Sequence, residues 1–211
     1  MIKLFNLTQS GPWQTAGIDT DYKIVLDGEC LYLVFEGSAE PSDWKANFDF
    51  FPKPVKPYKN MAKTWYAHGG FVKRWKAAED QITSEVLSAI GDRQLVIVGY
   101  SHGAGLAALA HEWFEFYGHE PLGYGFGGPR VLWISGKMIR NRMWYFKAIC
   151  NRGDIVTHLP FFIFGYMHNR KLKIGKQRLI GIDAHRPDSY AGELGTGACA
   201  NTADGGYNST I

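Results

Sequence analysis

The stretch Gln94-Leu-Val-Ile-Val-Gly-Tyr-Ser-His-Gly-Ala-Gly105 constrains the fold of this chain more than any other. Leu95 to Val98 are apolar and mostly β-branched, so they read as a buried strand. The strand breaks at Gly99. Ser101 then stands between Gly99 and Gly103, and Leu106, Ala107, Leu109, Ala110, Trp113 and Phe114 begin a helical pattern at once. A serine in G-x-S-x-G at a strand–turn–helix junction has the form of a nucleophile elbow. The turn is sharp, so a side chain at either flanking glycine would strike the neighbouring strand or helix. The helix start supplies N–H groups and partial positive charge beside the serine.

The rest of the chain must fit around this element. At 211 residues it is expected to form a single domain over 1–211, with 195–211 as a tail rich in small and polar residues. Hydrophobic residues make up 45% and charged residues 20%, a balance that supports a packed core rather than disorder. A net charge of +3 gives no reason to expect a nucleic-acid partner. Cys30, Cys150 and Cys199 are widely spaced and odd in number, which favours free thiols over a disulfide framework or a zinc site. The first ten residues lack the apolar core of a signal peptide, and no run of 18 apolar residues suggests a membrane span. The compartment, cytoplasmic or secreted, is left open.

Along the chain, the first twenty residues read as a surface arm or leading helix. Cys30–Phe35 reads as a strand ending at Glu36-Gly37-Ser38. Trp44, Phe48 and Phe51 share one face of a short helix stopped by Pro52, Pro54 and Pro57, a pattern that suits a lid or a permanently packed aromatic segment. Thr64–His68 reads as a strand. Phe71, Trp75, Ala78, Ile82, Val86 and Ile90 then give the clearest helical period in the chain, closed by Gly91. Strands are expected at 94–99, 122–126 and 144–150, with helices at 103–117, 136–142 and 188–194. Lys171–Ile174 and Gln177–Ile180 are expected to pair as a hairpin across Gly175. Alternating strands and helices from 64 to 150 imply an α/β fold with a mainly parallel central sheet flanked by helices.

A nucleophilic serine needs a base, and the base needs an orienting acid. Asp154 follows the strand 144–150 in a glycine-containing turn, at the strand end where such sheets carry catalytic groups. Downstream histidines are His158, His168 and His185. His158 is too near Asp154 along the chain to swing onto a separate loop. Local context favours His185, in a polar loop before a helix, over His168, and leaves both open. His111-Glu112 does not continue as H-E-x-x-H, because Glu115 stands where the second histidine would be, so no metal is implied. Trp133, Phe161, Phe162 and Phe164 suit either an acyl groove or the core. From 130 to 180 there are eleven Arg and Lys against one acid, Asp154, which suits a solvated basic face or an anionic lipid.

Six ordered blocks carry a resemblance: Val34-Phe-Glu-Gly-Ser38 with Asp43-Trp44, Ala67-His-Gly-Gly-Phe71, Val98-Gly-Tyr-Ser-His-Gly103, Phe126-Gly-Gly-Pro-Arg130, Asn151-Arg-Gly-Asp154 with Leu159-Pro160, and Gly165-Tyr-Met-His168. Together they resemble the fungal-type class 3 lipases, α/β-hydrolases that cleave carboxylic esters. The resemblance implies Ser101 as nucleophile, Asp154 as acid and His185 on a late loop as base, with His168 structural. It implies an oxyanion hole from Ser38 and the backbone of His102, and a lid after Ser38 that would include Trp44, Phe48 and Phe51. It implies an acylglycerol or other ester substrate, met at a lipid–water interface, and no cofactor. A phospholipase or short-chain esterase is the alternative on the same scaffold, and an inactive lipid-binding module is a further one. Two positions depart from the family's habit: Glu36 stands where arginine is common, and His102 where leucine is common. His102 is expected to point its side chain to solvent.

Overall fold

The computed structural model describes residues 1–37, 51–55, 65–133, 142–168, 170–176 and 180–195. Alternation along two adjacent strands explains its layering. In β3 (Cys30–Phe35), Leu31, Leu33 and Phe35 enter one core while Tyr32 and Val34 enter another. In β6 (Gln94–Tyr100), Leu95 and Ile97 join the first core, and Val96, Val98 and Tyr100 join the second. Strands apolar on both faces must be covered on both faces. On one side lie α2 (Gly69–Ile90) and α3 (His102–Phe116), through Phe71, Trp75, Ile82, Leu106 and Phe114. On the other side Phe5 of α1 (Ile2–Leu7) meets Tyr190 and Leu194 of α4 (Pro187–Gly195).

The main sheet has seven strands in the order β1-β2-β3-β6-β7-β9-β11. The remaining members are β1 (Gln14–Ala16), β2 (Thr20–Asp27), β7 (Leu122–Phe126), β9 (Phe146–Asn151) and β11 (Lys171–Ile174). From β3 to β11 every pairing is parallel, while β1 and β2 add an antiparallel edge. The expected mainly parallel sheet flanked by helices is the one observed.

Several expectations need correction. Trp65–His68 (β5) is a strand, but it lies in a separate four-stranded sheet, β10-β8-β5-β4, with β4 (Pro52–Val55), β8 (Leu132–Trp133) and β10 (Tyr166–Met167). Pro52 and Pro54 fit β4 because that strand is at the sheet's edge, where a missing N–H costs little. Lys171–Ile174 pairs in parallel with β9, Lys171 opposite Ala148. The expected hairpin of Lys171–Ile174 with 177–180 falls largely outside the described residues. So do most of the expected helix 136–142, and Cys199. Cys30 and Cys150 are free thiols.

This framework sets the functional end of the molecule. Parallel β6, β7 and β9 finish at the same edge, and residues 101, 127 and 154 follow them there. The isolated bridge between Asp154 and Gly181 brings the chain just before α4 to the same edge.

Candidate active site

Ser101 sits where β6 gives way to α3, with φ 54° and ψ −121°. A non-glycine residue at positive φ is costly and persists only where its surroundings hold it. Here the Ser101 N–H donates to the Phe126 carbonyl at 2.8 Å, tying the elbow to β7. The two glycines are required by close approach. A Cβ at Gly99 would lie 2.2 Å from the carbonyl oxygen of Gly103, and one at Gly103 would lie 2.4 Å from that of Glu36. The helix thus starts almost against the preceding strand, and the serine is pressed out between them. As the first helical residue, His102 has an N–H with no intrahelical acceptor.

The structure brings Ser101, His185 and Asp154 together. His185 Nε2 is 2.9 Å from Ser101 Oγ, and His185 Nδ1 is 2.9 Å from Asp154 Oδ2. All three are buried. With the Nδ1–H donated to the carboxylate, Nε2 accepts the hydrogen bond of the Ser101 hydroxyl. Asp154 is held further by the Val156 N–H, which donates to Oδ1 at 2.9 Å, and by the Tyr190 hydroxyl, which donates to Oδ2 at 2.7 Å. Tyr190 itself accepts from the Asn151 N–H at 2.9 Å, and burial pushes its phenol well up, so it stays a donor toward the acid. Nothing local in the sequence marks Tyr190, because a tyrosine on a short helix reads as packing.

His168 is not part of this cluster. Its Nε2 donates to the Thr157 carbonyl at 2.9 Å, and burial holds its pKa down to about 4. His158 donates from Nδ1 to the backbone carbonyl of Asp154 at 2.8 Å. Both shape the turn that carries the acid. His102 corrects the expectation of a solvent-facing side chain: it is buried and stacked on Phe71, with centroids 4.8 Å apart and planes 25° apart. Burial, with Arg74 and His68 close by, lowers its pKa to about 3, so it is neutral. Ser38, Trp44 and Phe48 lie outside the described residues. Phe51 is exposed just before β4.

A cleft of about 530 Å³ opens over Ser101 and His185, and its walls include Thr8, Gln9, Glu36, Tyr100, Ile182 and Arg186. Burial, and then the charge of Asp21, raises the Glu36 pKa. The expected leading helix is present as α1, and the residues at its end, Thr8 and Gln9, form part of the cleft wall.

A doubly covered parallel sheet with a strained serine between β6 and α3 defines an α/β-hydrolase. Within that class, the chain belongs to the lipase (class 3) family, whose model matches residues 32–164. Among curated relatives, a lipase of Rhizomucor miehei is 26% identical over 170 residues, which span 74% of this chain and 45% of the relative. The secreted mono- and diacylglycerol lipase A of Penicillium cyclopium is 29% identical over 157 residues, 71% of this chain and 50% of the relative. The chain spans about half the length of these relatives. The solved triacylglyceride lipase of Rhizomucor miehei superposes with a TM-score of 0.64 at 22% identity, covering 78% of this chain and 66% of that one. The mono- and diacylglycerol lipase of Aspergillus oryzae gives 0.63 at 24%, covering 77% and 61%. At these identities the superpositions show the shared fold. The family match ends before His185, so the place of this histidine rests on geometry.

Proposed function

We propose that this protein is a serine carboxylester hydrolase that cleaves acylglycerol esters, with Ser101 as nucleophile, His185 as base and Asp154 as orienting acid. The observation that carries this reading is the continuous hydrogen-bonded chain from Ser101 Oγ through the imidazole to Asp154. Ser101 Oγ attacks the ester carbonyl carbon while His185 Nε2 takes its proton. Asp154 keeps the imidazole in the needed tautomer and faces the charge that forms on it. The His102 N–H meets the developing oxyanion, a contact of a kind typically worth about 2.7–4 kcal/mol of barrier. His185 returns the proton to the leaving alcohol. Water, deprotonated by the same Nε2, then cleaves the acyl-enzyme.

A lipid surface is the partner this reading implies. It is supported by the exposed run Phe161-Phe-Ile-Phe164, which follows the turn bearing Asp154, with Ile163 83% exposed. Exposed apolar clusters of this kind mark interaction sites. A second substrate reading, a phospholipase, is favoured by the eleven basic residues of 130–180 against the single buried Asp154.

Two measurements test the proposal. Ser101→Ala is expected to lower turnover of p-nitrophenyl butanoate by at least about a thousandfold. His185→Ala should do the same, while His168→Ala keeps a large part of the activity. Wild-type turnover in Ser101→Ala would overturn the serine mechanism, whereas no ester turnover by the wild-type chain would leave a binding module. Comparing an emulsified glyceride with a phospholipid decides the substrate, and faster phospholipid turnover would overturn the acylglycerol assignment.

A further inference from the structure

We propose that Tyr100 is a positioning residue for His185: its ring lies flat along one face of the imidazole, and its hydroxyl holds the backbone carbonyl of the same histidine. The proposal rests on the reading of Ser101, His185 and Asp154 given above, and assigns a role to the residue just before the nucleophile.

The backbone at His185 follows a short turn. This histidine ends a three-residue 3-10 turn, Asp183–His185, held by a bond from its N–H to the Ile182 carbonyl. Its two side-chain bonds, to Ser101 and Asp154, both lie in the plane of the ring. Bonds in a plane fix the ring's heading but resist a tilt out of that plane poorly. A flat group against the face resists that tilt directly. Tyr100 is such a group: its centroid is 5.4 Å from that of the imidazole, and the two planes are 16° apart. The Tyr100 hydroxyl also donates to the His185 carbonyl. One side chain thus grips both the ring and the backbone from which the ring hangs. Burial, with Asp154 and Asp188 near, pushes the phenol up, so it stays protonated and able to donate.

The grip is firm because Tyr100 is itself enclosed. Phe5 meets it edge-on at 5.5 Å and 90°, and Tyr190 does so at 5.8 Å and 74°. A Cβ added at Gly37 would lie 2.8 Å from its Cδ1. Strand alternation puts it there: Val96, Val98 and Tyr100 share the face of β6 covered by α1 and α4. The α1 helix therefore reaches the triad through Phe5 and Tyr100.

The arrangement predicts an effect on the chemical step rather than on binding. Taking the serine proton adds positive charge to the imidazole, and a cation over an aromatic face is attracted to it. An interaction that strengthens in the transition state raises kcat and leaves KM alone. Small misplacement of a catalytic group costs up to about a hundredfold in rate.

The experiment uses the full chain, p-nitrophenyl butanoate, and titration of competent serines with a fluorophosphonate. Tyr100→Phe keeps the stacked ring and loses the carbonyl bond, and kcat per titrated site should fall by about tenfold. Tyr100→Leu loses both, and kcat per site should fall by about a hundredfold, with KM within about twofold in each variant. Wild-type kcat per site in Tyr100→Leu, even with fewer competent sites, would show a purely structural role and overturn the proposal. A loss carried by KM would overturn it as well. Ser101→Ala in the same series separates the two readings. If it is inactive, a null result at Tyr100 overturns the positioning role alone. If it is active, the triad and the positioning role fall together.

Discussion

At the scale of single residues, the elbow makes a sharp stability prediction. Gly99→Ala would force a Cβ to within 2.2 Å of a backbone oxygen that cannot step aside, since it belongs to the first turn of α3. Overpacking against backbone is expected to cost about 1–3 kcal/mol or more in a urea titration. Gly192→Ala is the control: its added Cβ meets nothing within 4 Å, and a helix gains from alanine, so stability should rise by up to about 1 kcal/mol. Equal losses at both positions would remove the close-approach argument. The same local logic explains which site residues could be read from the sequence. Ser101 and Asp154 each follow directly on an apolar strand, so position along the chain carries the signal. His185 competed with His158 and His168, because a pairing across 84 residues leaves no local trace. Tyr100 and Tyr190 were missed because their hydroxyls act across 85 and 36 residues while their rings look like ordinary core. His102 was misjudged because the residue that covers it, Phe71, comes from a different helix.

At the scale of elements, the exposed turn Phe162–Phe164 buries none of its residues. It is anchored from behind, where the Trp133 indole N–H donates to the Phe164 carbonyl at 3.0 Å and Arg130 donates to the carbonyls of His158 and Pro160. Such a turn contributes little to the core. Replacing Phe162 and Ile163 by serine should therefore change folding stability by no more than about 0.5 kcal/mol. Removing two exposed apolar side chains should lower the rate on an emulsified glyceride at least about tenfold, with little change on dissolved p-nitrophenyl butanoate. Equal losses on both substrates would show that the turn does not meet the lipid surface. Elements differ in how well the sequence announces them. The helix 69–90 repeats a period over enough residues to be read, and the strands 30–35 and 94–100 carry continuous apolar runs. The small sheet was invisible because β8 and β10 have two residues each, too few for any period. β5 was assigned to the wrong sheet because strand–helix alternation does not tell which sheet a strand joins.

At the scale of the whole molecule, two-sided burial makes stability depend on pH in a predictable direction. α3 is enclosed along nearly its entire length, and it carries two histidines inward. His102 lies against Phe71, and His111 is fully buried with Nε2 donating to the Pro121 carbonyl at 2.9 Å. Burial lowers the pKa of His102 to about 3 and that of His111 to about 4, from an ordinary value near 6.5. Both depressions have the same sign. Between pH 6.5 and the folded values, the unfolded chain binds protons at these positions that the folded chain does not. The contribution of these two groups to stability is therefore complete above pH 6.5 and declines as pH falls toward 4. Each histidine contributes a loss of up to about 1.4 kcal/mol per pH unit in that window. Urea titrations at pH 7.5 and pH 5 should show the wild-type midpoint falling with acidity. His111→Leu, which removes one titrating group beside Phe146, should show a smaller fall over the same interval. An unchanged slope in that variant would mean that the buried histidine takes up its proton in the folded state, and that the enclosure of α3 does not hold it neutral.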